Sequence, residues 1–320
     1  VIIDTNKSSL SLLEDAQHLI IRRMLGLSHN SILAPLFTET GIMPIRYRRI
    51  ILALRYLAYV LALPPDHYAH LSLQESSRLR DAGERSWLSD LDWAIQHLPG
   101  SSLSLPPLQT MSTAPESITD LIKNITGCSM TSLQQFVDNS SRLALLQGRR
   151  EPHKDGTKSH SVTTLRHYLI QVRNPKHRVT LTRLLCGDLT PVTFHASPAS
   201  TRPLSVQDQP AKCCRACRDV LQPETPQHVL LQCHSIPGLV HLRETFLVDM
   251  SQHFPLPRSH TFDNASALYY LKTFIFDWTA VVKTAQFIHE GLSYWKGFIN
   301  EGTDLGSEEE EEEELGSIAC

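Results

Sequence analysis

The chain of 320 residues has no long apolar run. Its most apolar stretch, residues 50–63, is fourteen residues long and contains Arg55, whereas a bilayer-spanning helix needs roughly 20 predominantly apolar residues. No membrane helix is predicted. Alternation of apolar and polar residues never persists, which argues against a strand-rich fold, and no internal repeat of solenoid period is found. Serine and cysteine nucleophiles lack a recognisable elbow or neighbouring base, so no catalytic residue is assigned. Val1-Ile2-Ile3 turns polar at Asp4, too soon for a secretory leader.

Apolar residues make up 41% of the chain and charged residues 20%, enough to bury a core and too balanced for a wholly disordered chain. The net charge of −3 conceals an asymmetry. The last twenty residues hold nine of the 33 acids and no Lys or Arg, so residues 1–300 carry 30 cations against 24 acids, a net +6. A mildly basic body suits a partner of negative charge such as RNA or DNA. The Glu308 to Glu314 run reads as a disordered, solvated tail. Seven cysteines is an odd number, and four of them fall between 213 and 233. That clustering favours thiolate chemistry in a reducing compartment, nuclear or cytoplasmic, over a disulfide framework.

Helical periodicity dominates the first hundred residues. A capping box at Ser11 opens a helix over about 11–25 that Gly26 stops. A long second helix follows Pro44, with Ile50, Ile51, Leu54, Leu57, Ala58 and Leu61 facing inward and Arg46, Arg48 and Arg49 as its solvated end. Two more are expected near 67–81 and 87–98. Residues 100–115, rich in Ser, Leu and Pro, read as a linker. Helices near 116–125 and 131–146 come next, then 238–253, and an aromatic stretch over 264–296 that can break in two and whose rings are read as core.

Between Arg142 and Arg183 ten Lys or Arg face two acids, a net +8 in forty-two residues. Arg149, Arg150, Lys154, Lys158, Arg166, Arg173, Lys176, Arg178 and Arg183, with Arg215 farther on, are the candidate phosphate contacts. The bland alternative is a solvated helical face.

The chemistry-bearing constellation is Cys214-x2-Cys217-x10-His228-x4-Cys233. Two thiolates on one tight turn, an imidazole and a third thiolate supply the four ligands that tetrahedral zinc prefers. Cys213 could replace Cys214 through a longer turn. Four protein ligands leave no open position, so the Zn2+ expected here is structural. Thr225-Pro226 starts a short helix carrying His228. Positions five apart on an α-helix do not share a face, so this one must end or unwind by Cys233.

These residues resemble a known family. The run Leu181-Thr-Arg-Leu-Leu-Cys-Gly-Asp-Leu-Thr-Pro191, the Cys214 and Cys217 turn, Glu224-Thr-Pro-Gln-His228-Val-Leu-Leu-Gln-Cys233 and Arg243-x2-Phe246 are similar to the zinc-binding region near the C-terminus of non-LTR (LINE-type) retrotransposon reverse transcriptases. Upstream, Leu36-Phe-Thr-Glu39-Thr-Gly41-Ile-Met-Pro44-Ile-Arg46 and the following helix resemble the segment after the polymerase thumb, fungal-type proteins especially. The resemblance implies a fragment that holds element RNA or target DNA. It implies no polymerase, because the family's paired aspartates are missing: no Asp-Asp occurs in this chain. The carboxylate sets of the family's endonuclease and of RNase H are missing too.

The expected architecture is mostly α. It comprises a helical post-thumb-like segment (1–99), the linker (100–115), a helical basic segment (116–186), a loop with the CCHC zinc-binding module (187–236), C-terminal helices (237–300) and the disordered acidic tail (301–320). Expected partners are RNA or DNA, no membrane, and a missing upstream polymerase portion or another protein through the C-terminal helices. The rival reading is a degenerate or co-opted remnant that acts as a protein-interaction scaffold without binding nucleic acid.

Overall fold

The computed structural model describes residues 5–100, 102–152, 157–189, 214–219, 222–257 and 261–303. Lys154, Cys213, most of the 187–213 loop and the tail beyond 303 lie outside the described residues, as does the side chain of Lys158. Helix accounts for 66% of the described residues. The strands among the described residues are one antiparallel pair, Glu151–Pro152 with Lys158–Ser159. The fold is mostly α, and no described helix is long and apolar enough to cross a membrane.

The chain divides into two compact units. The first runs to Leu189 and takes in Phe276–Trp278. Its helices are α1 (Lys7–Leu25), α2 (Leu33–Thr40), α3 (Ile45–Leu61), α4 (Tyr68–Asp81), α5 (Trp87–Gln96), α6 (Leu108–Thr113), α7 (Glu116–Asp138), α8 (His167–Gln171) and α9 (Pro175–Leu185). α1 starts earlier than Ser11 because the Asn6 side chain accepts from the Ser8 N–H at 2.9 Å and closes the first turn. The Ser86 hydroxyl and Ser89 cap α5 reciprocally. Leu54 and Leu57 of α3, Leu88, Leu91 and Ile95 of α5, Met111 of α6, and Ile118 and Ile125 of α7 form one continuous core.

That core corrects the expected linker. Leu105 and Met111 are buried, and 108–113 is a helix, so residues 100–115 fasten α5 to α7 rather than separate two domains. The two helices expected over 116–146 are also different: α7 is one piece to Asp138. Its inward stripe of Ile118, Leu121, Ile125, Ser129, Leu133 and Val137 continues through Gly127 without a phase change. A Cβ at Gly127 would meet nothing, so the glycine faces outward and costs only about 1 kcal/mol of helix propensity.

The second unit contains the cysteine turn, a five-residue π-helical turn (His228–Gln232), α10 (Pro237–Ser251), α11 (Asn264–Phe276) and α12 (Val281–Thr303). Most of its aromatic residues pack as core: the Phe246 ring stacks on Phe287 at 4.1 Å and meets Phe274 edge-on at 5.4 Å, whereas Tyr269 and Tyr294, expected in the core with them, are exposed. The break between α11 and α12 falls at Asp277–Ala280, where the Thr284 hydroxyl bonds the Ala280 carbonyl at 2.9 Å.

Candidate metal centre

Each side of the centre is built by local hydrogen bonding. On the first side, the Cys214 N–H donates to the Gln222 carbonyl at 2.9 Å and the Arg218 N–H to the Cys214 carbonyl at 2.7 Å, folding 214–218 into a tight turn. Arg218 takes φ +55 to close it. On the second side, the Thr225 hydroxyl accepts from the His228 N–H at 3.3 Å. The Cys233 N–H reaches back five residues to the His228 carbonyl at 2.8 Å. This π-type bond solves the mismatch expected of positions five apart: the wider turn brings His228 and Cys233 to a common side.

The four ligand atoms of Cys214, Cys217, His228 and Cys233 all lie within 4.8 Å of one another. Cys214 Sγ is 3.8 Å from Cys233 Sγ, and Cys217 Sγ is 3.4 Å from His228 Nε2. Zinc–sulfur bonds of about 2.3 Å at tetrahedral angles give an edge of about 3.8 Å between sulfurs. A disulfide would need about 2.05 Å. Cys214, His228 and Cys233 are buried, and His228 Nδ1 has no hydrogen-bond partner among the described residues.

Three thiols this close cannot all ionise unaided. The bond to Cys233, together with burial, pushes the Cys214 thiol up to about 12, and the same bond pulls Cys233 below its ordinary value. Burial raises Cys217. A dication relieves this crowding, because metal binding displaces the thiol protons. The donor set, its spacing and its enclosure therefore fit a metal ion.

Two residues that sequence reasoning left without a role hold the ligands in place. Glu224, buried, accepts from the Arg215 N–H at 2.9 Å and from the Arg215 guanidinium at 2.7 Å, bracing the first cysteine turn. Arg243, also buried, spans the end of the π turn, donating to the Leu230 carbonyl at 2.7 Å and the Cys233 carbonyl at 2.6 Å. Burial pulls Arg243 down to about 10, against the pull of the Cys233 and Glu244 charges. The signal for both residues was their presence in the quoted motif.

The candidate phosphate contacts among the described residues differ in exposure. Arg149 and Arg166 are corrected: both are buried in the first unit. Arg149 makes two bonds of 2.9 Å to the carboxylate of the fully buried Glu39 and lies 4.6 Å over the Phe276 ring. Arg166 donates to the Thr38 carbonyl at 2.9 Å and to the Ser161 carbonyl at 2.8 Å. Their charges hold α2 against the 149–168 segment. Arg215 is half-buried on Glu224 and sits 4.8 Å over the Trp295 ring. Arg178 and Arg183 are half-buried and donate to the Val172 and Gly26 carbonyls. Arg150, Arg173 and Lys176 are exposed. Tyr168, in the middle of the basic stretch, is buried and so offers no face for base stacking.

The chain matches no protein family, no curated protein and no solved structure.

Proposed function

We propose that this chain is a non-catalytic, intracellular nucleic-acid-binding fragment of a retrotransposon reverse transcriptase, stabilised by structural zinc on Cys214, Cys217, His228 and Cys233. The observation that carries the reading is the convergence of three sulfurs and one imidazole nitrogen within 4.8 Å, with all four positions of a tetrahedral ion taken by protein. A closed zinc site stabilises a fold and activates no water. The exposed cations Arg150, Arg173 and Lys176 supply charge for phosphate, and Asn174 caps α9 between the last two by accepting from the Lys176 N–H at 3.0 Å. The burial of Arg149 and Arg166 weakens the original patch and favours the scaffold alternative to that extent.

Two measurements on the purified full chain test this. Elemental analysis is expected to give about one zinc per chain, falling close to none in Cys217→Ser. Binding of labelled RNA or DNA is expected at low salt and should fall steeply as salt rises. Metal-free protein, or no binding at low salt, overturns the corresponding half of the proposal.

A further inference from the structure

The outward face of α3 combines cations with exposed rings. Arg48, Leu52, Arg55, Tyr56 and Tyr59 recur at three- and four-residue intervals and are all exposed, while Ile50, Ile51, Leu54 and Leu57 on the other side are buried. Tyr59 is 60% exposed, and its ring centroid lies 6.3 Å from that of Tyr56. Tyr56 meets Trp87 edge-on at 5.9 Å across a groove of about 270 Å³ between α3, α4 and α5, lined also by Val60, Leu73 and Ser76. Tyr68, at the start of α4, is 85% exposed.

Along α3 itself the charge has one sign, and the acids that follow in the chain, Asp66 and Glu75, lie beyond it. Residues 41–65 contain four arginines and no acid. Arg46 is taken by Glu14, but among the described residues neither Arg48 nor Arg55 has an ion-pair partner. A second copy pairing through this face would set arginine against arginine, and an apolar partner helix would bury two unpaired guanidinium groups. A single-stranded nucleic acid meets both features. Its phosphates neutralise the arginines, and its unpaired bases stack on the tyrosines, whereas a duplex hides its base faces.

We propose that the α3 face is a binding platform for single-stranded nucleic acid, with Tyr56 and Tyr59 stacking bases and Arg48 and Arg55 tracking phosphate. This rests on the nucleic-acid reading above but places the contact on a surface separate from Arg150, Arg173 and Lys176.

The test is fluorescence anisotropy of the zinc-loaded full chain with a labelled oligouridine, the matching oligothymidine and a duplex of the same length. Joint Tyr56→Ala and Tyr59→Ala substitution is expected to weaken single-strand binding about tenfold or more, and duplex binding far less. Tyr59→Phe, which keeps the ring, should bind as the unmodified chain does. Joint Arg48→Gln and Arg55→Gln should flatten the slope of log affinity against log salt by about 1.4. Unequal affinity for the two oligomers, which differ in the 2′-hydroxyl and the 5-methyl group, would rank the RNA against the DNA strand, and loss of the preferred one in the Tyr56 and Tyr59 variant supports the platform. If the unmodified chain binds no oligonucleotide, the nucleic-acid reading falls and this one with it. If it binds, and the loss follows Arg173→Gln with Lys176→Gln while the α3 variants bind normally, the platform alone is overturned. A change of sedimentation in the α3 variants without a change of binding would make the face a contact between copies, and would overturn it too.

Discussion

Glu39 has no exposed surface, and a carboxylate so placed persists only with its charge answered. Arg149 answers it through both oxygens, and Arg166 stands 3.8 Å away. Removing one partner leaves the other charged and dry. Arg149→Met and Glu39→Leu should therefore each cost about 3–5 kcal/mol, while the double substitution should cost much less than their sum. Urea unfolding followed by circular dichroism checks this; additive losses would mean the pair is not coupled. Glu151 extends the prediction to pH. Burial alone would raise its carboxyl, but His167, 3.5 Å away, and the charges of Arg149 and Arg166 outweigh burial and hold it below its ordinary 4.5. A lowered folded-state value stabilises above about pH 4.5, and that contribution is lost as pH falls through the folded value. Replacing Glu151 with Gln should flatten the acid side of the stability profile. None of this was legible in the charge pattern. Arg149 and Arg150 are neighbours of identical chemistry, and only the tertiary position of Glu39, 110 residues upstream of its partner, sends one inside and leaves the other in water.

Elements were easier to read than residues wherever one local rule decided them. The α3 stripe, the spans of α4 and α5, and the division of the 264–296 stretch follow from periodicity, and the structure agrees. Misreadings came where composition competed with packing. The Ser, Leu and Pro content of 100–115 resembles a linker, yet Leu105 and Met111 are apolar enough to be drawn into a core that α5 and α7 leave open. α2, eight residues long, lacks a side-chain cap and shows no outward polar face because Ala34, Leu36, Phe37 and Glu39 are all buried. The spacing of the metal ligands was fully legible, but the means of reaching it was not. A five-residue interval needs a π turn, and that turn leaves carbonyls without the regular i to i+4 bonds of a helix. Arg243 takes up those of Val229, Leu230 and Cys233. Arg243→Met should leave all four ligands present yet weaken zinc binding about 10–100-fold, the size expected when a ligand loses its supporting contacts. Competition against a chelating dye measures this. Unchanged affinity would mean that the turn holds its shape without the guanidinium.

For the whole molecule, the proposed zinc would give the two units different sources of stability. The first has its own large apolar core, joining α3, α5, α6 and α7. The second has the Phe246, Phe274 and Phe287 cluster, but its cysteine turn, 214–219, contributes few buried apolar side chains and is fixed by Glu224, the backbone and the ligand set. A structural zinc site is worth roughly 10–16 kcal/mol, against a total of about 5–15 kcal/mol for an ordinary domain. On the zinc reading proposed above, losing the ion would remove an amount comparable to the whole stability of an ordinary domain and leave the other core intact. Calorimetry of the full chain should accordingly show two transitions, of which a strong chelator lowers or abolishes one and leaves the other within a few degrees. Cys217→Ser should reproduce the chelated trace without chelator, and adding chelator to that variant should do nothing more, because both treatments remove the same ion. Trp295 of the second unit carries the Arg215 guanidinium 4.8 Å over its ring, so its fluorescence should change in the zinc-dependent transition. A single transition indifferent to chelator would mean that the cysteines and His228 are held together by the rest of the fold, and the metal would then lose its structural role.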